Sequence, residues 1–139
     1  MAFRSPVSVE DLNKLSQGTL IDHLGIVFTA AGDDWLQATM PVDERTRQSY
    51  GLLHGGASVA LAETLGSSAG NLCVDTTSQV CVGLEINANH LRAVRSGTVT
   101  GTARALHVGR TTQVWEIRIE NEAGKPVCIS RLTLAVVPA

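Results

Sequence analysis

Between Arg47 and Asp75 the chain carries one carboxylate and no Lys or Arg, and that carboxylate, Glu63, stands in the middle of a stretch of small and apolar residues. Ala57, Ala60, Leu61, Leu65, Ala69 and Leu72 recur at three- and four-residue steps, and this spacing predicts a helix over Gly55–Leu72. Its other faces hold Ser58, Ala62, Gly66, Ser67 and Ser68, where a solvent-facing helix would show a charged stripe. Such a helix is expected to be enclosed by protein on most sides. Everything after Ser78 reads as its wrapping. The stretches Gln79–Asn89, Gly97–His107, Thr111–Asn121 and Lys125–Val136 are rich in Val, Ile, Thr and Leu, and turn residues at Arg95-Ser96-Gly97, Val108-Gly109-Arg110 and Asn121–Gly124 separate the four. Short connections between long strands imply antiparallel pairing.

Upstream, Ser8 with Asp11 three residues on marks a helix start, and Val9, Leu12 and Leu15 continue it as a short amphipathic helix from about Val9 to Gln17, a lid on the fold. Leu24–Thr29 and Trp35–Val42 flank a Gly32-Asp33-Asp34 turn and read as a hairpin, followed by an irregular polar segment, Asp43–Tyr50, closed by Gly51. The class is α+β: an antiparallel sheet curled around one long helix, in a single domain over residues 1–139. Edge strands and an apolar outer sheet face would remain, so a homo-oligomer is expected.

Composition removes several function classes. Eleven Lys and Arg against thirteen Asp and Glu leave a net charge of -2, which disfavours a nucleic-acid partner. No segment reads as a membrane span or a leader. Three cysteines without a C-x-x-C pair disfavour disulfide scaffolding and structural zinc, so a reducing cytoplasm is the expected setting. No phosphate loop, H-E-x-x-H, Ser-His-Asp pattern or dinucleotide fingerprint is present, and neither a metal nor a redox cofactor is expected.

Glu63 is the candidate base or nucleophile, since a carboxylate in so apolar a helix is costly unless it is paired or functional. His54-Gly55-Gly56 lies where the polar segment meets the helix. The N–H groups of a first helical turn lack internal acceptors, and glycine lets a ligand oxygen come close, which suits an oxyanion site. A Gly-Gly turn with a histidine that only caps the helix is the plainer reading of that triplet. Ser67 lies one turn beyond Glu63 and could hold a water, and Gln48 could donate its amide to the same carbonyl. Eight residues separate Gly55 from Glu63, about 12 Å along a helix at 1.5 Å per residue. Both cannot reach one carbonyl from the same chain, so a shared site requires a second subunit with its helix antiparallel alongside.

Taken together, Gln48, His54-Gly55-Gly56-Ala57-Ser58, Leu61-Ala62-Glu63 and Ser67 resemble the hotdog-fold acyl-CoA thioesterases. The likeness runs from about Val9 to Val136 and includes Ala38–Asp43, Gly51–Gly56 and Gly83–His90. It is strongest to the Arthrobacter-type 4-hydroxybenzoyl-CoA thioesterase branch, and within it to the 1,4-dihydroxy-2-naphthoyl-CoA hydrolases and the enterobactin-pathway proofreading thioesterases. The resemblance implies dimers, commonly stacked as dimers of dimers, with active sites at the dimer interface. It implies Glu63 as catalytic carboxylate, Gly55 N–H as oxyanion donor, Gln48 and His54 near the carbonyl, and Ser67 beside Glu63. It places Ser68 and Gly83 at the acyl group, and His90, Leu91, Arg92, His107, Val108, Gly109, Arg110 and Thr111 around coenzyme A, which is part of the substrate. Arg92 and Arg110 would grip its phosphates. Ser68 departs from the apolar residue usual there, which leaves the acyl preference open. An acyl or aryl carrier protein could replace coenzyme A. A hotdog dehydratase and a non-catalytic acyl-CoA sensor are the rival readings.

Overall fold

The computed structural model describes residues 2–139. Three helices and six strands follow in the order α1 (Val9–Leu15), α2 (Leu20–His23), β1 (Val27–Ala31), β2 (Trp35–Pro41), α3 (Gly55–Asn71), β3 (Gln79–His90), β4 (Thr98–Val108), β5 (Thr112–Glu120) and β6 (Pro126–Pro138). The strands form one antiparallel sheet ordered β1-β2-β4-β5-β6-β3, so β1 and β3 are its edges. The sheet wraps α3, which packs on β2, β3, β4, β5 and β6.

Alternation builds the wall. Along β5, Gln113, Trp115, Ile117 and Ile119 point inward and are buried, while Thr112, Glu116, Arg118 and Glu120 point away. Ser8 caps α1 by accepting from Asp11 N–H, as the spacing predicts, but the helix stops at Leu15, with Ser16 as its C-cap and Gly18 turning the chain at a φ of 76°. The four-residue α2 was not legible in the sequence; it occupies Leu20–His23, so β1 starts three residues later than the apolar run from Leu24 suggests. Phe3, also missed, is buried and stacks on Trp115 with ring centroids 6.1 Å apart.

The outer face of the sheet differs from expectation. It is apolar at one end, where Val82, Val114, Ala135 and Val137 lie, and again at Ile129, opposite Arg118 and Asn89. Elsewhere Gln37, Thr102, Arg104, Glu116, Arg118 and Arg131 make it polar, with the Arg104 guanidinium 5.8 Å from the Trp35 ring centre. The helix side of the sheet concentrates the apolar burial instead.

Glycines bring helix and sheet together. A Cβ at Gly66 would strike the Leu132 side chain, and one at Gly70 would strike Leu134 and lie 2.8 Å from Gln113 Oε1. Gln113 is fully buried, donates to Gly70 C=O at 3.3 Å and accepts from Trp115 Nε1–H at 2.9 Å. Gly70→Ala would gain about 1 kcal/mol of helix propensity but force this network and Leu134 apart, an overpacking cost of about 1–3 kcal/mol. The variant should therefore show a lower urea midpoint. An unchanged or raised midpoint would mean that helix and sheet can separate freely here.

Candidate active site

The N-terminus of α3 is capped by His54, whose backbone is extended (φ -67°, ψ 130°) and whose Nδ1 accepts from Gly56 N–H at 2.8 Å. That bond requires a bare Nδ1, so a neutral His54 carries its proton on Nε2. Among the described residues no acceptor meets the N–H of Gly55, the first residue of the helix. The preceding loop is pinned by the buried Thr46, which donates to Pro41 C=O at 2.8 Å and through its own C=O accepts from His54 N–H at 2.8 Å. At its start, the Arg45 guanidinium beside Asp43 holds that exposed carboxyl below the ordinary carboxylate range.

Gln48 sits in this loop. Its Oε1 accepts from Tyr50 N–H at 2.6 Å and from Leu52 N–H at 3.3 Å. With the oxygen occupied, the amide nitrogen is left as the outward donor. Gln48, Gly55, Ser58, His90, Leu91 and Arg92 line one cavity of about 420 Å³. The His90 ring packs on Gly55, where a Cβ would come within 2.9 Å of Nε2. His54 lies outside that lining, and the capping role it takes in the structure is the plainer of the two readings of the triplet.

Glu63 lies in a different cavity, of about 560 Å³, with Ser67, Ser68 and the α2-side residues Leu20, Ile21 and Leu24. The side chain is half-buried, and no ion pair engages it among the described residues. Its carboxylate rests on Gly83, where a Cβ would stand 2.6 Å from Oε2. The register of β3 against β6 shifts between Gly83 and Glu85, a bulge that bends the strand at this point. So Gly83 belongs with Glu63, and His90 with Gly55. Within one chain the two halves of the predicted machinery stay apart.

The residues that the resemblance assigns to coenzyme A divide likewise. His90, Leu91 and Arg92 close β3, whereas His107–Thr111 form the β4–β5 turn, with Gly109 N–H donating to Thr112 C=O at 2.9 Å and the His107 ring against Gly109. Thr112 aligns with Ala135 and Ala135 with Val82, so that turn lies at the start of β3. Eight residues of strand at about 3.3 Å each put it about 26 Å from His90.

Residues 50–128 match the Thioesterase superfamily. This chain belongs to that family. It is 54% identical over 137 residues to the proofreading thioesterase EntH of Cronobacter sakazakii, covering 99% of each chain. It is 51% identical over 137 residues to the 1,4-dihydroxy-2-naphthoyl-CoA hydrolase of Escherichia coli, covering 99% of this chain and 100% of that one. A crystal structure of a glutamine-to-alanine mutant of thioesterase PA1618 from Pseudomonas aeruginosa superimposes with a TM-score of 0.98 at 57% identity, each chain covered in full. The fold is therefore the hotdog thioesterase fold expected from the sequence, and the chain is a thioesterase-type hydrolase.

The cysteines are free, with Cys81 and Cys128 buried and Cys73 half-buried. Burial pushes the Cys73 thiol up to about 11. The folded thiol ionises later than the unfolded one, so this contribution to stability is whole below about pH 9 and is lost as pH climbs towards 11. Near neutral pH Cys73 should hold on the order of 100-fold less thiolate than an unburied cysteine. Iodoacetamide should label native Cys73 correspondingly slowly, as followed by intact mass. Labelling as fast as in urea would contradict this.

Proposed function

We propose that this chain hydrolyses acyl-CoA thioesters, aryl-CoA thioesters among them, at composite sites in a homodimer. The observation that carries this reading is the division of the machinery: Gln48 and the free Gly55 N–H stand under His90, and Glu63 stands over Gly83, seven residues back along the same edge strand. An edge strand offers unpaired backbone groups. Two copies of β3 paired antiparallel about a dyad near Ile86–Asn87 would set Gly83 of one chain opposite His90 of the other. Each Glu63 would then meet the second subunit's Gly55 and Gln48, and the second subunit's His107–Thr111 turn would face Arg92. A dimer of dimers would follow by covering a further surface.

In such a site the thioester carbonyl accepts from Gly55 N–H, at the positive end of the 17-residue α3, and from the Gln48 amide. Negative charge developing on that oxygen is stabilised by donors already in place. The Glu63 carboxylate either adds to the acyl carbon, giving an anhydride that water opens, or takes a proton from a water beside Ser67. In the first route the bond from Glu63 to the acyl carbon replaces C–S and water then cleaves the anhydride, regenerating the carboxylate; in the second the water oxygen bonds the acyl carbon as C–S breaks; in both coenzyme A leaves as thiolate. Arg92, with Arg110 of the second subunit, would hold the coenzyme A phosphates. No metal or redox group has a part in this scheme, and the setting would be the cytoplasm. An acyl or aryl carrier protein as thiol carrier is the second reading, favoured by the likeness to a proofreading thioesterase.

Glu63→Gln should abolish thiol release from benzoyl-CoA while the oligomer persists. Gly55→Pro removes one N–H at a first helical position that tolerates proline, after a residue already extended; Gly55→Ala puts the same Cβ against the His90 ring but keeps the N–H, so it separates crowding from loss of the donor. Relative to Gly55→Ala, Gly55→Pro should lower kcat by about 10²–10³. Glu63→Gln and Gly55→Pro should each be nearly inactive alone, and the two refolded together should regain activity, because mixed dimers hold one intact site. A mixture as inactive as its components would sink the composite site; an active Glu63→Gln enzyme would sink the mechanism.

A further inference from the structure

Gln48 and Gly55, the two donors aimed at the thioester oxygen, hang on one small closed loop. His54 N–H donates to Thr46 C=O at 2.8 Å and Gln48 N–H to Leu52 C=O at 2.7 Å, with Arg47 bridged to Leu53 between them. The tip turns at Gly51, whose φ of 81° suits glycine and whose N–H donates to Gln48 C=O at 2.9 Å. Gln48 stands on one arm of this loop, and Gly55 directly follows the other. Whatever fixes the loop as a body therefore fixes both donors at once.

Two ties hold it. Leu53 N–H donates to Val94 C=O at 2.7 Å, a backbone bond that does not depend on the side chain at 53. The other tie is a single hydroxyl. Thr46, 1% exposed, donates its Oγ1 proton to Pro41 C=O at 2.8 Å and accepts from Asp43 N–H at 3.1 Å. Among the described residues Asp43 N–H meets no other acceptor. Pro41 ends β2, which is paired on both sides, with β1 and with β4, so the hydroxyl fastens the loop to the interior of the sheet. Valine would fill nearly the same volume and make neither bond.

We infer that Thr46 is a positioning residue for hydrolysis: its hydroxyl holds the Gln48 amide and the Gly55 N–H in the relation in which both meet the thioester oxygen. This rests on the thioesterase reading above. Thr46 is buried and meets no substrate; it acts through the His54 N–H bond and the rungs of the loop. Donors aimed at developing charge work only at hydrogen-bond distance from where that charge forms, and a misplacement of about 1 Å costs on the order of 10²-fold in rate. Because that charge develops in the transition state, the loss falls on kcat and leaves KM nearly unchanged.

The test compares Thr46→Val with Thr46→Ser on benzoyl-CoA, with kcat taken per folded molecule. Thr46→Val should lower kcat by about tenfold or more at nearly constant KM, and Thr46→Ser, which keeps the hydroxyl, should restore it. In the Gly55→Pro background, where one donor is already gone, Thr46→Val should cost much less than in the parent. Thr46→Cys, a weak donor of similar size, should give an intermediate loss and serves should Thr46→Val not fold. Without substrate, the ¹⁵N signals of the Gln48 side-chain amide and Gly55 N–H should shift in Thr46→Val while those of Leu65–Ala69 in α3 stay put. A lower urea midpoint with kcat per folded molecule unchanged would overturn the inference, as would equal losses in both backgrounds or unmoved Gln48 and Gly55 signals. Inertness of the parent enzyme towards thioesters would overturn it together with the hydrolase reading.

Discussion

The close contact between α3 and the sheet is the constraint on which everything else in this chain depends. Leu61 and Leu65 seat over Gly101 of β4, and Gly66 and Gly70 seat over Leu132 and Leu134 of β6. Large side chains thus meet glycine from alternate sides, and the helix lies deep in the sheet. That depth explains why the helix carries no Lys or Arg and a single carboxylate, Glu63, since no long cation could reach water from beneath such a wall. It also fixes the rotation of α3 about its axis. Once Leu61, Leu65 and Ala69 point into the sheet, Glu63, Ser67 and Ser68 must lie on the half-buried flank, where the cavities are.

The same packing fixes the direction of the helix relative to β3. Gly55 lies at the His90 end and Glu63 at the Gly83 end, so α3 and β3 run antiparallel. The N–H donor and the carboxylate are therefore tied to two points on one edge strand. Intramolecular approach of the two is barred by helical rise. A two-fold axis across β3 would turn this separation into complementarity, because it exchanges the two ends of the strand. Two local features fit that arrangement: glycine at position 83 leaves room for the Glu63 carboxylate, and the bulge between Gly83 and Glu85 bends the free edge locally.

Much of this was legible in the residues, and the reason differs from element to element. The long helix and the four strands after Ser78 carry strong periodicities that tertiary packing amplifies, and their ends agree within one or two residues. Ser8 was legible because its capping chemistry is local. By contrast α2 rests on one turn of backbone bonds, and Phe3 is a lone aromatic whose partner, Trp115, is 112 residues away in sequence. Neither leaves a pattern. Gln48 is intermediate: loop glutamines are common, and only the pair of backbone donors on its oxygen shows that its nitrogen is aimed. The outer sheet face was misjudged because few charges overall suggested apolar surface, whereas Arg104, Glu116, Arg118 and Arg131 gather on that face.

A cavity of about 570 Å³ beneath α1 could not be read from sequence because its walls come from the N-terminal segment, α1, α2, β1 and the end of α3 with the loop after it, with no shared spacing. Its existence follows from the brevity of α1. Had the helix run on to Gln17, its last turn would lie across the gap that Ser16 and Leu15 now border. Instead the chain turns at Ser16, whose hydroxyl donates to Leu12 C=O at 2.8 Å, and steps through Gly18 into α2. The lid so formed has two short pieces with a seam between them. Ile21 lies at that seam and contributes both to this cavity and to that of Glu63.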